Sequence, residues 1–122
     1  SNWIKSQSPF IHTLENVSET DLQELYAKAQ VLVFPSHVEG FGWPPLEAAS
    51  QGIRIITTKT GAIEDILKDK ATYIDPLDEK AFQQSVLNIL NEGTTSRTGK
   101  ISVPTWQECV DSYFDLYQRA CA

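Results

Sequence analysis

The sequence predicts a single α/β domain, residues 1–122, with a Rossmann-like parallel sheet and helices on both faces. Three observations lead there. Short apolar or β-branched runs recur at residues 31–34, 53–57 and 71–74. Stretches of helical periodicity separate them, the alternation that builds βαβ units. One of the runs, VLVF, passes into a loop with two glycines that opens a helix. In open α/β sheets, ligands bind beyond the carboxyl ends of the strands, and that loop sits at such an end.

Each element has a local cause. Residues 10–14 (FIHTL) read as a first short strand. Ser18 with Asp21 three residues on resembles a capping box, and Leu22, Leu25, Tyr26 and Ala29 continue at helical spacing. Val31 to Phe34 is a continuous apolar run, as in a strand buried on both faces. Pro44 suits the first position of the next helix, where its missing N–H costs nothing. Gly52 suits that helix's C-terminal end. A strand at residues 53–57 precedes a helix that starts at Thr60 or Gly61 and carries Ile63, Ile66 and Leu67. A strand at 71–74 stops at Asp75-Pro76, and Asp78 caps a helix with Phe82, Val86, Ile89 and Leu90 on one line. Residues 91–100 form a polar loop. Thr105 and Glu108 make a second capping box. The last helix repeats Trp106, Cys109, Val110, Tyr113, Phe114 and Tyr117, read as a buried core stripe because such periodicity marks a covered face.

Composition narrows the function. A chain of 122 residues, 41% hydrophobic, supports one core and not two. Its formal net charge of -6, with the basic residues scattered, disfavours nucleic acid as a partner. Cys109 and Cys121 lie twelve positions apart on one predicted helix, too far to bond to each other. A reducing, cytoplasmic setting follows as the expectation. No run is long enough to span a bilayer, and no metal-ligand spacing is present. Ser1-Asn2 without a starting Met reads as a tag remnant, and residues 1–9 as partly tag or an incomplete first unit.

The chemistry concentrates in residues 35–52, PSHVEGFGWPPLEAASQG. Gly40 and Gly42 let a ligand approach the backbone. The helix start offers amide donors and the positive dipole end, which suit phosphate. Glu39 and Glu47 bracket the loop with seven residues between them. Side chains on a helix lean toward its N-terminus, so Glu47 can reach back toward the loop that carries Glu39. Carboxylates accept from sugar hydroxyls, each charge-assisted bond contributing about 1.5–3 kcal/mol. The plainer alternative gives Glu47 to the helix dipole, Glu39 to solvent and the glycines to turn geometry. His37 is read as a rim residue that leaves the ligand untouched, His12 as structural and Lys59 as a solvated loop residue.

That segment resembles the signature of retaining GT-B-fold glycosyltransferases of the family 4 type. The flanking sequences LENVSETDLQELYAKAQVLVFPS, IRIITTKTGAIEDIL, ATYIDPLDEKAFQQSVLNIL and PTWQECVDSYFDLY are similar to the surrounding elements of that family. The resemblance implies the C-terminal, donor-binding half of a two-domain enzyme that transfers a mannosyl or glucosyl unit from a nucleoside-diphosphate sugar to a glycan or lipid-linked acceptor. It implies that Glu39 contacts the transferred sugar as the catalytic-site acid. Gly40 belongs to the same donor loop, and the backbone of Phe41, Gly42 and Trp43 lines sugar and diphosphate. Glu47 holds the ribose, and Gly61 keeps a neighbouring loop clear. It implies no metal and no cofactor beyond the nucleotide sugar, and envelope lipopolysaccharide synthesis at the cytosolic face of the inner membrane. The family's upstream phosphate-binding Arg and Lys find no match, since Lys5 qualifies only by charge. An acceptor-binding N-terminal domain is missing, so the isolated chain is expected not to turn over. The final helix, by the same resemblance, could instead cross toward that domain with its aromatic face exposed. A sugar-nucleotide epimerase of the same fold, or a non-catalytic nucleotide-sugar-binding module, are the alternatives.

Overall fold

The computed structural model describes residues 10–93 and 98–121. The readings of Ser1, Asn2 and Lys5 fall outside them. The elements run α1 (Glu19–Lys28), β1 (Val31–Phe34), α2 (Trp43–Ser50), β2 (Arg54–Thr57), α3 (Ile63–Leu67), a 3-10 turn (Lys68–Lys70), β3 (Ala71–Tyr73), α4 (Glu79–Asn91) and α5 (Trp106–Ala120). The three strands form one sheet in the order β1-β2-β3. Both pairings are parallel, with Val31 opposite Arg54 and Ile55 opposite Ala71. The expected α/β, Rossmann-like class is therefore what the chain forms.

The core gathers on one side of β2. Ile53 and Ile55 pack with Tyr26 of α1, Ala48 and Ala49 of α2, and Ile63 and Leu67 of α3. Side chains alternate along a strand, so Arg54 and Ile56 point the other way. There Arg54 Nη1 donates to the Ile89 carbonyl at 3.2 Å and meets Glu92 at 3.0 Å, tying α4 to the opposite face. Helices thus flank the sheet on both sides.

The caps form largely as read. Ser18 Oγ accepts from the Asp21 amide at 3.2 Å, and Asp78 accepts from the Ala81 amide at 2.9 Å. Gly52 follows α2 with φ +73, the left-handed turn that glycine adopts without strain.

Four expectations need correction. Residues 10–14 form no strand, and Phe10 is 87% exposed. A strand exists only where a neighbour completes its ladder, and none of the described strands pairs with this segment. His12 accordingly lies exposed outside any strand. β1 is half-buried at each residue instead of being buried on both faces, because among the described strands it is an edge. α3 begins at Ile63, two or three residues later than read, and Thr60 makes no side-chain cap. Finally, the α5 stripe is no core. Trp106 is 83% exposed, and Val110, Tyr113, Phe114 and Tyr117 are also exposed. The helix is held by its own capping box, in which Glu108 Oε2 accepts from the Thr105 amide at 2.6 Å. Among the described residues, nothing covers its apolar side. The free thiols Cys109 and Cys121 sit on and just beyond it.

Candidate donor site

The root of the loop is stitched by buried threonines. Thr57 Oγ1 donates to the Phe34 carbonyl at 2.9 Å, and Thr58 Oγ1 donates to that of Ser36. Both threonines are buried at the carboxyl end of β2. They fix how the chain leaves β1.

Two glycines then set the loop against α3. Gly42 is the N-cap of α2 with φ +82, and a Cβ there would stand 2.5 Å from Ile63 Cγ1. Gly61, φ +54, lies against the backbone of Glu39 and Gly40. The segment from Glu39 to Gly42 therefore rests on the turn that starts α3, Glu39 and Gly40 against the Gly61 backbone and Gly42 against the Ile63 side chain. Gly40 is open on its side-chain face. Phe41 and Trp43 are exposed and stack, ring centroids 4.8 Å apart and tilted by 45°.

The helix start is poorer in amides than a generic one. α2 begins WPP, so two of its first three residues lack an N–H. The Leu46 amide is spent on the Gly42 carbonyl at 3.3 Å. The expectation of an amide-rich helix start is therefore too generous. The amides left at this helix start are those of the loop and of Trp43, and the dipole remains.

Glu39 and Glu47 are each half-buried. Glu47 accepts from the Tyr26 hydroxyl at 3.0 Å, through Oε2. Burial first, then Glu47, pushes the Tyr26 pKa up to about 12, so the tyrosine stays a donor.

Beside the loop, a hollow of about 470 Å³ opens at the carboxyl edge of all three strands. Ser36, His37, Thr58, Lys59, Thr60, Tyr73 and the segment from Ile74 to Pro76 line it. Glu39 and Glu47 are not in its wall. Lys59 pairs with Glu64 at 2.6 Å and lies 5.3 Å from the Tyr73 ring centre. Thr60 Oγ1 and Tyr73 Oη are buried without a hydrogen-bond partner among the described residues. Each such group costs about 1–3 kcal/mol. Sequence reading missed Tyr26, Thr60 and Tyr73. A tyrosine at the centre of a helix's apolar face was the visible signal for Tyr26, and the other two had none.

The chain is a parallel α/β domain of Rossmann-like class, with a glycine-built loop at the carboxyl edge of the sheet, the edge at which open α/β sheets bind their ligands. The family model for glycosyl transferases group 1 matches residues 7–100, and the chain belongs to that family. It is 38% identical over 86 residues to an O-antigen chain mannosyltransferase of Salmonella typhimurium, covering 70% of this chain and 24% of that protein. It is 29% identical over 115 residues to O-antigen chain mannosyltransferase B of Escherichia coli, covering 89% and 30%. It is also similar to an MMP alpha-(1->4)-mannosyltransferase of Mycolicibacterium hassiacum, 26% identical over 125 residues, covering 94% and 30%. The chain spans less than a third of the length of these relatives. No solved structure matches it. Among the described residues no helix is long and apolar enough to cross a membrane.

Proposed function

We propose that this chain is the donor-binding part of a retaining glycosyltransferase that moves a hexose, of mannosyl type, from a nucleoside-diphosphate sugar to a glycan or lipid-linked acceptor. The observation that carries the reading is the loop from Glu39 to Gly42. Two positive-φ glycines hold it at the carboxyl end of β1, and it leads directly into the helix that bears Glu47. The mannosyltransferase names of the relatives favour the sugar, and the two O-antigen enzymes favour a glycan acceptor of the cell envelope.

In this reading Glu39 accepts hydrogen bonds from the transferred sugar, and the amides of Phe41, Gly42 and Trp43 face the diphosphate. The α2 dipole adds its positive end to the leaving group. Glu47 accepts from the ribose, and Gly61 leaves space where any side chain would press on the loop. The nucleotide sugar is the only small molecule required, with no metal or further cofactor. An N-terminal acceptor-binding domain completes the cleft, so the 122-residue chain binds donor without turning it over. The complete enzyme works in the cytoplasm, peripheral to the inner membrane face.

Thermal shift and ligand-observed NMR against GDP-, UDP- and ADP-sugars test it. The expected result is a response to one nucleotide class that Glu39→Ala and Glu47→Ala both weaken. A response that survives both substitutions, or none to any of these sugars, overturns the reading. Product analysis of the full-length protein, with and without a glycan acceptor, separates transfer from epimerisation.

A further inference from the structure

Glu47 can serve a ligand only if its carboxylate is aimed. A glutamate has three side-chain torsions, and a ligand that must freeze them binds more weakly than one that finds them set. Here the residue is fixed at both ends. Its backbone carbonyl accepts from Ser50 Oγ at 2.7 Å and from the Gln51 amide at 3.3 Å. Its Oε2 accepts from Tyr26, which sits 21 residues upstream on α1. Tyr26 is 7% exposed and packs in the cluster that includes Ala48 and Ala49, the two residues after Glu47. Packing thus fixes the ring, and the ring fixes the hydroxyl. Oε1 accepts no hydrogen bond among the described residues.

We propose that Tyr26 is a positioning residue of the donor site: it holds Oε2 of Glu47 so that Oε1 is presented, already oriented, to one hydroxyl of the ribose diol of a nucleoside-diphosphate sugar. The proposal rests on the donor-binding reading above. A carboxylate shared between a buried phenol and a ligand keeps its direction without giving up its acceptor capacity, since each oxygen accepts independently. The high pKa of Tyr26 keeps the phenol a donor at any pH where the enzyme would work. A purely structural role, in which Glu47 only satisfies the buried hydroxyl, gives the same bond and a different response to ligand.

Calorimetric titration of the chain with GDP-mannose and UDP-glucose, each beside its 2′-deoxy and 3′-deoxyribose counterpart, separates the two. Tyr26→Phe keeps the ring and removes the hydroxyl. For the ribo form of the sugar that binds, it is expected to weaken affinity by up to about tenfold, the scale of ordering one rotamer-rich side chain on binding. It should cause no further loss for the deoxy form that lacks the contacted hydroxyl, and Glu47→Gln should remove the same discrimination. Far-UV dichroism checks that each variant is folded at the titration temperature. Equal affinity of Tyr26→Phe and the parent chain overturns the proposal and leaves the donor-binding reading standing. So does an equal loss for ribo and deoxy ligands. A parent chain that binds neither GDP-mannose nor UDP-glucose nor an ADP-sugar overturns both.

Discussion

Gly61 lies flat against the carbonyl oxygens of Glu39 and Gly40: a Cβ on it would stand 2.9 Å from the Gly40 oxygen and closer still to that of Glu39. The two segments are 21 residues apart in sequence, and a missing side chain is what lets them touch. Gly61→Ala must displace backbone and hold alanine at φ +54, which costs about 1–3 kcal/mol. Gly40→Ala meets nothing within 4 Å and changes stability by less than about 0.5 kcal/mol. Urea unfolding of the two variants checks the contrast, and equal midpoints would contradict the contact.

Tyr26 makes stability pH-dependent at the alkaline end. Its pKa is raised from 10.0 to about 12, by burial first and by Glu47 second. A raised value means the folded state favours the neutral phenol. Its contribution is therefore whole below pH 10.0 and disappears as pH rises through about 12. The urea midpoint should fall over that window in the parent chain and fall less in Tyr26→Phe.

Side chains of α5 should be nearly neutral to truncation in this chain. Phe114 is 63% exposed, so Phe114→Ala shifts stability by no more than about 0.5 kcal/mol. Ile55, 1% exposed at the centre of the sheet, costs about 2–5 kcal/mol as Ile55→Ala. A loss at Phe114 comparable with that at Ile55 would mean the helix face is covered after all.

With little among the described residues packed against it, α5 depends on its N-terminus. Thr105→Ala removes the acceptor for the Glu108 amide and costs the helix about 1 kcal/mol. The Thr105 backbone N–H, and then its hydroxyl, hold the Glu108 carboxyl below its ordinary 4.5. The carboxylate's support is therefore complete above pH 4.5 and fades as pH falls through the lower folded value. Helical dichroism should drop over that acid range, and Glu108→Gln should flatten the drop.

Much of this molecule is legible along the chain because its causes are local. A hydroxyl or carboxylate before a helix binds the amide two or three residues on, so Ser18, Asp78 and Thr105 announce their helices. An apolar β-branched run between helical periods announces a parallel strand. The pattern from Glu39 to Glu47 likewise marked the loop, because glycine and proline carry their backbone constraints with them. The α5 stripe misled because periodicity tells which side of a helix is apolar and not what lies against it. Residues 10–14 misled for the same reason, since a ladder needs a partner that propensity cannot supply.

Sequence by itself determined the family and, apart from the strand read at residues 10–14, the order and type of the elements, because their causes lie within a few residues. Tertiary structure alone decided that Gly61 meets Glu39, that Tyr26 holds Glu47 from another helix, and that an aromatic face stays in solvent. Those outcomes depend on which distant surfaces come together, and the free energy of such contacts is a property of the packed molecule.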